Sequence, residues 1–197
     1  MKDLTKVDKR VANTKEAVTR VFSDLLKEKS IDEISVTEIC QKANINRGTF
    51  YSHYKDPYDL RNKIQEAFLE KFKANLAPLL FSSSTDNLTN FDFVYSIIMF
   101  LKTNKETVDI IVDRNGRDQT FLNDVIKCGY QFVTFVYPKI FANNSNEDIS
   151  MFYSFVSGGC VQILLEWIKG NMQTPMEELS KKLNKLISVT YSFFNTK

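Results

Sequence analysis

Apolar residues along this 197-residue chain recur at three- and four-residue steps almost throughout, the spacing that gathers them on one face of an α-helix. The first stripe is Val18, Val21, Phe22, Leu25 and Leu26, with Thr14 placed to cap its start. A connector, SIDEI at 30–34, follows. Ser35 and Glu38 then form a capping-box pattern ahead of Val36, Ile39, Cys40 and Ala43. Asn44 suits the left-handed conformation that ends a helix. Asn46 can cap the next short helix, whose Phe50 and Tyr54 share a face. Asp56, Pro57 and Asp59 are a fresh start signal. Leu60, Ile64, Phe68 and Phe72 then predict one long helix over 57–75.

The second half reads as helix too. SSSTDNLTN at 82–90 is a polar loop, and 91–104 is apolar enough to predict burial all round. Asn115-Gly116 is a breaker. Residues 120–137 are rich in β-branched and aromatic types, yet Phe121, Val125, Cys128, Phe132 and Phe135 keep helical spacing up to Pro138. After a loop at 142–148, a helix over 149–169 carries Phe152, Tyr153, Val156, Cys160, Ile163, Leu164 and Trp167. Gly158 and Gly159 weaken its middle, which a close helix crossing would offset. Gly170 and Asn171 end it, and Pro175 opens a last helix with Met176, Leu179, Leu183, Leu186, Ile187 and Thr190 along a narrow seam. The expected fold is all-α: a three-helix N-terminal domain over 1–56, a linking helix over 57–75 and a helical domain over 76–197.

Two short helices, a tight turn and a newly capped third helix are the layout of a helix-turn-helix DNA reader. The face opposite Phe50 and Tyr54 carries Arg47, Gly48, Tyr51, Ser52 and Lys55. A cation, a gap for close approach and several hydrogen-bonding groups suit a phosphate-lined groove. The charge balance is consistent but weak: 26 Lys and Arg against 24 Asp and Glu give +2. Residues 1–55 hold 11 basic and 8 acidic side chains, so the small excess lies on the DNA-facing side. Lys2, Lys6, Lys9 and Arg10 either reach phosphates or form a solvated tail.

The string INRGTFYSHYKDPYDL, with SVTEICQKA before it, resembles the N-terminal domain of tetracycline-repressor-type (TetR) transcriptional regulators over about residues 11–72. The chain departs from that family's usual pattern at Asn44, where Gly is common, and at Asn46, where Ser or Thr is common. Both substitutes satisfy the same backbone demand. FVSGGCVQILLEWIKGNMQTPMEELSKKL is similar, less specifically, to effector domains in one branch of the family. The resemblance implies a homodimer that binds a pseudo-palindromic operator through paired N-terminal domains. It also implies an effector-binding, dimerising C-terminal domain, and a phosphate contact for His53, the only histidine.

The expected DNA-facing set is therefore explicit. Arg47 and Gly48 approach base edges, and Thr49, Tyr51, His53 and Lys55 clamp phosphates, while Ser35, Thr37, Asn46 and Ser52 complete the surface. Aromatic residues Phe93, Tyr95, Phe100, Phe132, Phe135 and Tyr153 either line an effector cavity or are simply core. In a rival reading the C-terminal domain docks a protein co-regulator; in a third the chain is a dimeric helical protein without DNA. Phe152, Val156, Cys160, Ile163, Trp167, Leu179, Leu183 and Leu186 are the expected dimer interface, two helices from each of two subunits.

Enzymatic chemistry finds no support. One histidine and three scattered cysteines (Cys40, Cys128 and Cys160) make neither a nucleophile arrangement, nor a metal set, nor a disulfide framework. No Gly-rich phosphate loop is present. No cofactor is expected. The polar N-terminus predicts no signal peptide, and the longest apolar run, FVYSIIMFL, falls well short of the ~18 residues that span a bilayer. A reduced, cytoplasmic protein is the expectation.

Overall fold

The structure is a computed structural model that describes residues 4–81, 90–112, 123–127 and 144–194. Its described elements are all helical: α1 (Leu4–Glu28), a 3₁₀ turn (Ile31–Glu33), α2 (Val36–Lys42), α3 (Arg47–Tyr51), α4 (Pro57–Phe81), α5 (Asn90–Thr103), α6 (Lys105–Ile111), α7 (123–127), α8 (Asn146–Lys169) and α9 (Met176–Phe194). They fall into two compact units.

The first unit spans 1–68 and 105–113. Val18, Phe22 and Leu25 of α1 are buried, together with Ile39 and Cys40 of α2, Phe50 of α3, and Leu60 and Ile64 of α4. α1 packs against α2 and α6, and α2 against α3. Val108 and Ile111 bring α6 into this core. Arg61 of α4 donates to the Ile111 carbonyl at 3.3 Å, which satisfies an orphan acceptor at the end of α6. Thr14 does not cap α1. No Gly or Pro interrupts residues 4–13, so the helix runs on to Leu4. The Thr14 hydroxyl instead donates to the Arg10 carbonyl inside the helix at 2.9 Å.

The second unit spans 69–104 and 114–197. α5 and α8 both pack on α9. Its core holds Phe72, Leu76, Val94, Ile98, Phe100, Phe152, Tyr153, Trp167, Leu179, Leu183 and Ile187. α5 is not buried all round, because Met99 is half exposed on its outer edge. α8 starts earlier than the apolar pattern suggested. Ser145 caps it by accepting from Asp148 N–H at 3.0 Å, and the Asp148 carboxylate accepts the Ser145 hydroxyl at 2.8 Å. By length and composition α8 is apolar enough to cross a membrane, despite lacking an unbroken apolar run. Phe152, Tyr153, Trp167 and Ile168 are nonetheless buried within the unit.

The unit boundary falls inside α4, between Phe68 and Leu69. α4 continues to Phe81, past the expected end near 75, and carries Pro78 in its last turn. Pro78 has no N–H to give the carbonyl four residues earlier, so one helical bond is absent there. Cys128, Phe132, Phe135, the breaker Asn115-Gly116 and residues 82–89 of the first expected loop lie outside the described residues, as do 142 and 143 of the second, whose last three residues, 146–148, are helical in α8.

Candidate nucleic-acid interface

The site begins with two helix ends. Ser35 Oγ accepts the Glu38 N–H at 3.2 Å and starts α2. The return half of the capping box is not made. The Glu38 carboxylate turns to the Lys29 ammonium at 2.6 Å instead, a charge-assisted bond that wins over a neutral N–H. α2 ends on Asn44, whose φ of 53° is the left-handed conformation. Asn44 N–H bonds the Gln41 carbonyl at 3.2 Å and Ile45 N–H the Cys40 carbonyl at 3.0 Å, so the last turn closes fully.

This tight reversal delivers α3 three residues later. Asn46 Oδ1 accepts both the N–H (2.7 Å) and the hydroxyl (3.0 Å) of Thr49. The regular helix ends at Tyr51, yet Tyr54 N–H still bonds the Phe50 carbonyl at 2.9 Å, so the helical turn persists to Tyr54. Phe50 is fully buried and Tyr54 nearly so, with ring centroids 5.4 Å apart. They fix the inner face of α3 against the unit-1 core.

The opposite face is open. Arg47, Gly48, Ser52 and Lys55 are exposed, Tyr51 is 56% exposed, and Thr49 and His53 are half-buried. A Cβ at Gly48 would meet only Asn46 Oδ1, at 3.3 Å, so this position presents bare backbone outward. Arg47 Nη2 donates to the Thr37 hydroxyl, which ties the cation of α3 to the first turn of α2. Ser52 Oγ turns back to the Thr49 carbonyl at 2.7 Å. Ser35 and Asn46 lie exposed at the two caps. The structure thus gathers Ser35, Thr37, Asn46, Arg47, Gly48, Thr49, Tyr51, Ser52, His53 and Lys55 on two successive helices and their turn.

A clasp on α4 holds the far end of α3. Asp56 Oδ1 accepts Asp59 N–H at 2.8 Å, and Asp59 Oδ2 accepts Lys55 N–H at 2.9 Å. The Lys55 N–H, and then the Lys63 ammonium, hold the Asp59 carboxyl below its ordinary pKa. Lys63 Nζ lies 2.7 Å from the His53 carbonyl oxygen, 3.2 Å from Asp59 Oδ2 and 5.7 Å from the centre of the Tyr54 ring. Tyr58 donates its hydroxyl to Asp32, joining α4 to the 3₁₀ turn. Sequence reading missed Lys63 and Tyr58, which look in one dimension like ordinary polar helix positions.

In the second unit, Phe100 is buried against Phe72 with ring centroids 5.5 Å apart, and Phe93 is half-buried. Tyr153 is buried and donates to the Ile126 carbonyl at 2.5 Å. Of the expected dimer residues, Phe152, Trp167, Leu179 and Leu183 are buried within the protomer's own unit, and Val156, Cys160 and Ile163 are half-buried. Only Leu186 is exposed, at 55%. The seam along α9 is occupied by α5 and α8 of the same chain.

The exposed apolar strip is rotated from that seam. Met151 and Phe155 (69% exposed) lie at the start of α8, and Leu186, Val189 and Phe193 (77%) toward the end of α9. Phe152 meets Tyr191 with ring centroids 6.2 Å apart, so these two ends are side by side. Gly158 and Gly159 continue the strip, and a Cβ at either would meet nothing within 4 Å. Among the described residues, the expected close crossing at these glycines is therefore not made. α8 ends on Gly170 as its C-cap, and Asn171 and Met172, both at positive φ, follow it.

Cys40 is buried and Cys160 half-buried, and burial pushes their thiols up, that of Cys160 to about 11. Among the described residues, no group of three or more His, Cys, Asp or Glu side chains is placed to hold a metal ion.

Comparison with known proteins adds three findings. The TetR-type family described as "Transcriptional regulator C-terminal region" matches residues 89–189, more than half of the chain. An uncharacterized HTH-type transcriptional regulator of Bacillus subtilis (strain 168), YxbF, is 24% identical over 187 residues, covering 93% of this chain and 47% of the relative. The chain thus spans about half the length of that curated relative. Among solved structures, a transcriptional regulator (TerR/AcrR family) from Aquifex aeolicus VF5 aligns at a TM-score of 0.68 and 21% identity, over 89% of this chain and 98% of that one. A TetR transcriptional regulator from Streptococcus agalactiae 2603V aligns at 0.60 and 22% identity, over 94% and 99%. At such identities the structural matches show the fold.

Proposed function

This chain belongs to the TetR family of transcriptional regulators, and from that premise we propose that it binds duplex DNA through the outer ridge of α3. The carrying observation is the division of that short helix: Phe50 and Tyr54 are buried, while Arg47, Gly48, Tyr51 and Lys55 face outward. Arg47 reads a base edge, guanine first, because its fork matches the two acceptors that guanine presents. Bare backbone at Gly48 allows the close approach this needs. Ser35, Thr37, Asn46, Thr49, Tyr51, Ser52, His53 and Lys55 contact sugar and phosphate and set the register.

Two copies act together. The strip of Met151, Phe155, Leu186, Val189 and Phe193 seats the same strip of a second copy, with Gly158 and Gly159 at the closest approach. An isologous dimer of this kind presents two α3 ridges to a palindromic site. The cytoplasm is the compartment proposed for this action. The second unit binds a small, largely apolar effector near Phe93, Phe100 and Tyr153, which shifts the dimer between states of different DNA affinity. The expected outcome is repression relieved by the effector.

A gel-shift titration against random and selected duplexes at stepped salt tests the DNA reading. Preferred binding that falls steeply with salt is expected. Equal binding to all duplexes at every salt concentration, or none, would reject it. A metabolite screen by melting shift tests the effector reading; a protein that co-purifies in fixed ratio, with no small molecule raising the melting temperature, would favour a protein co-regulator instead.

A further inference from the structure

We infer that Lys63 is a positioning residue for DNA reading, an inference that rests on the proposed role of α3. Lys63 sits on α4, not on either helix of the reader. Its ammonium has three partners: the His53 carbonyl oxygen (2.7 Å), the Asp59 carboxylate (3.2 Å) and the Tyr54 ring face (5.7 Å to its centre).

Each partner belongs to the end of the ridge. His53 O is among the last carbonyls of the helical turn, which have no helical partner of their own. A cation there satisfies the acceptor and opposes the negative end of the helix dipole. Tyr54 is one of the two aromatic anchors of α3. Asp59 holds the Lys55 N–H at 2.9 Å, so through Asp59 the same ammonium steadies the backbone of a phosphate-clamping residue. One side chain therefore fixes where α3 stops and where Lys55 leaves it.

An exposed ion pair alone contributes little to stability, and the Lys63 and Asp59 side chains are 47% and 22% exposed. The contribution of Lys63 lies in geometry: recognition of base edges depends on holding the reading side chains within a fraction of an ångström. Lys63 spends its donors on the protein, so it adds no phosphate neutralisation of its own.

The test uses the duplex recovered by selection from a random pool with the wild-type chain. Lys63→Met keeps the stem and removes the charge; Lys63→Gln is a second variant should the first fold poorly, and Lys63→Arg restores a cation. Affinity for the selected duplex should fall about tenfold in Lys63→Met, as for loss of hydrogen bonds to a charged donor. Affinity for random duplex should change less than about twofold, the slope of binding against salt should stay as in wild type, and Lys63→Arg should recover most of the loss. Unchanged affinity in both charge-removing variants overturns the inference. So does an equal loss on all duplexes with the salt slope reduced by about one, which would make Lys63 a phosphate contact. A wild-type chain that selects no duplex fails at the earlier step and removes the DNA role of α3 itself.

Discussion

Alanine at Phe50 and alanine at Tyr51, one residue apart on α3, should have opposite consequences. Phe50 is 0% exposed and its ring packs on Tyr54, so truncation leaves a cavity in the core of the first unit. A buried Phe→Ala change costs about 3–5 kcal/mol. Against a total of about 5–15 kcal/mol this is a large share. Tyr51 is 56% exposed and touches Phe50 only edge-on, with ring centroids 5.8 Å apart. Its loss should cost about 1 kcal/mol or less. Urea unfolding followed by far-ultraviolet circular dichroism measures both. Trp167 fluorescence is the wrong probe, because that lone tryptophan reports on the second unit. With a slope of about 1–3 kcal/mol per molar urea, Phe50→Ala should lower the midpoint by about 1 M or more. Tyr51→Ala should leave the midpoint nearly in place and weaken duplex binding at least about tenfold. If Tyr51→Ala destabilised the fold as much as Phe50→Ala, the division of α3 into an inner and an outer face would be wrong.

Three further outcomes follow from other parts of the structure. Asn44→Ala should lose about 1–2 kcal/mol by urea unfolding, because φ 53° crowds a Cβ, whereas Asn44→Gly should be close to neutral. The Asp59 carboxyl is held low in the folded chain, so its stabilising effect is present above the ordinary value near ~4 and fades as pH falls through the lower folded value. The melting difference between wild type and Asp59→Asn should therefore narrow below about pH 4; a constant difference would contradict the clasp. Phe155→Glu places a charge in the exposed strip of α8 and α9, and sedimentation should find a dimer for the wild-type chain but mostly monomer for the variant.

Much of the reader was legible because its signals are local. A cap, a left-handed asparagine and a pair of aromatics on one face each need only their neighbours within about five positions. Hence Ser35, Asn44, Asn46 and Asp56 could be placed from sequence, and the structure puts each at its helix end. Competing partners explain the local errors. Glu38 found Lys29, nine residues upstream, and Thr14 found a carbonyl inside a helix that had no reason to stop. What distant elements decide was not legible. Leu179 and Leu183 make a convincing seam, but whether it meets a second copy or this chain's own α5 and α8 depends on packing across many residues. The exposed strip lies only about a third of a turn away, a rotation that periodicity alone cannot fix. Lys63 was invisible for the same reason: its partners at His53 and Tyr54 come close only once α3 and α4 are folded together.

The most direct measurement is parallel selection from a random duplex pool with the wild-type chain, Arg47→Ala and Lys55→Ala, each titrated against salt. The wild-type chain should enrich an inverted repeat. Arg47→Ala should keep the repeat but relax one base in each half-site, at a cost of about 1–3 kcal/mol, while Lys55→Ala should keep every base preference and lower the salt slope by about one for each phosphate no longer neutralised. No enriched motif for the wild-type chain, or the same motif with unaltered strength in both variants, would contradict the assignment of α3 as the element that reads DNA.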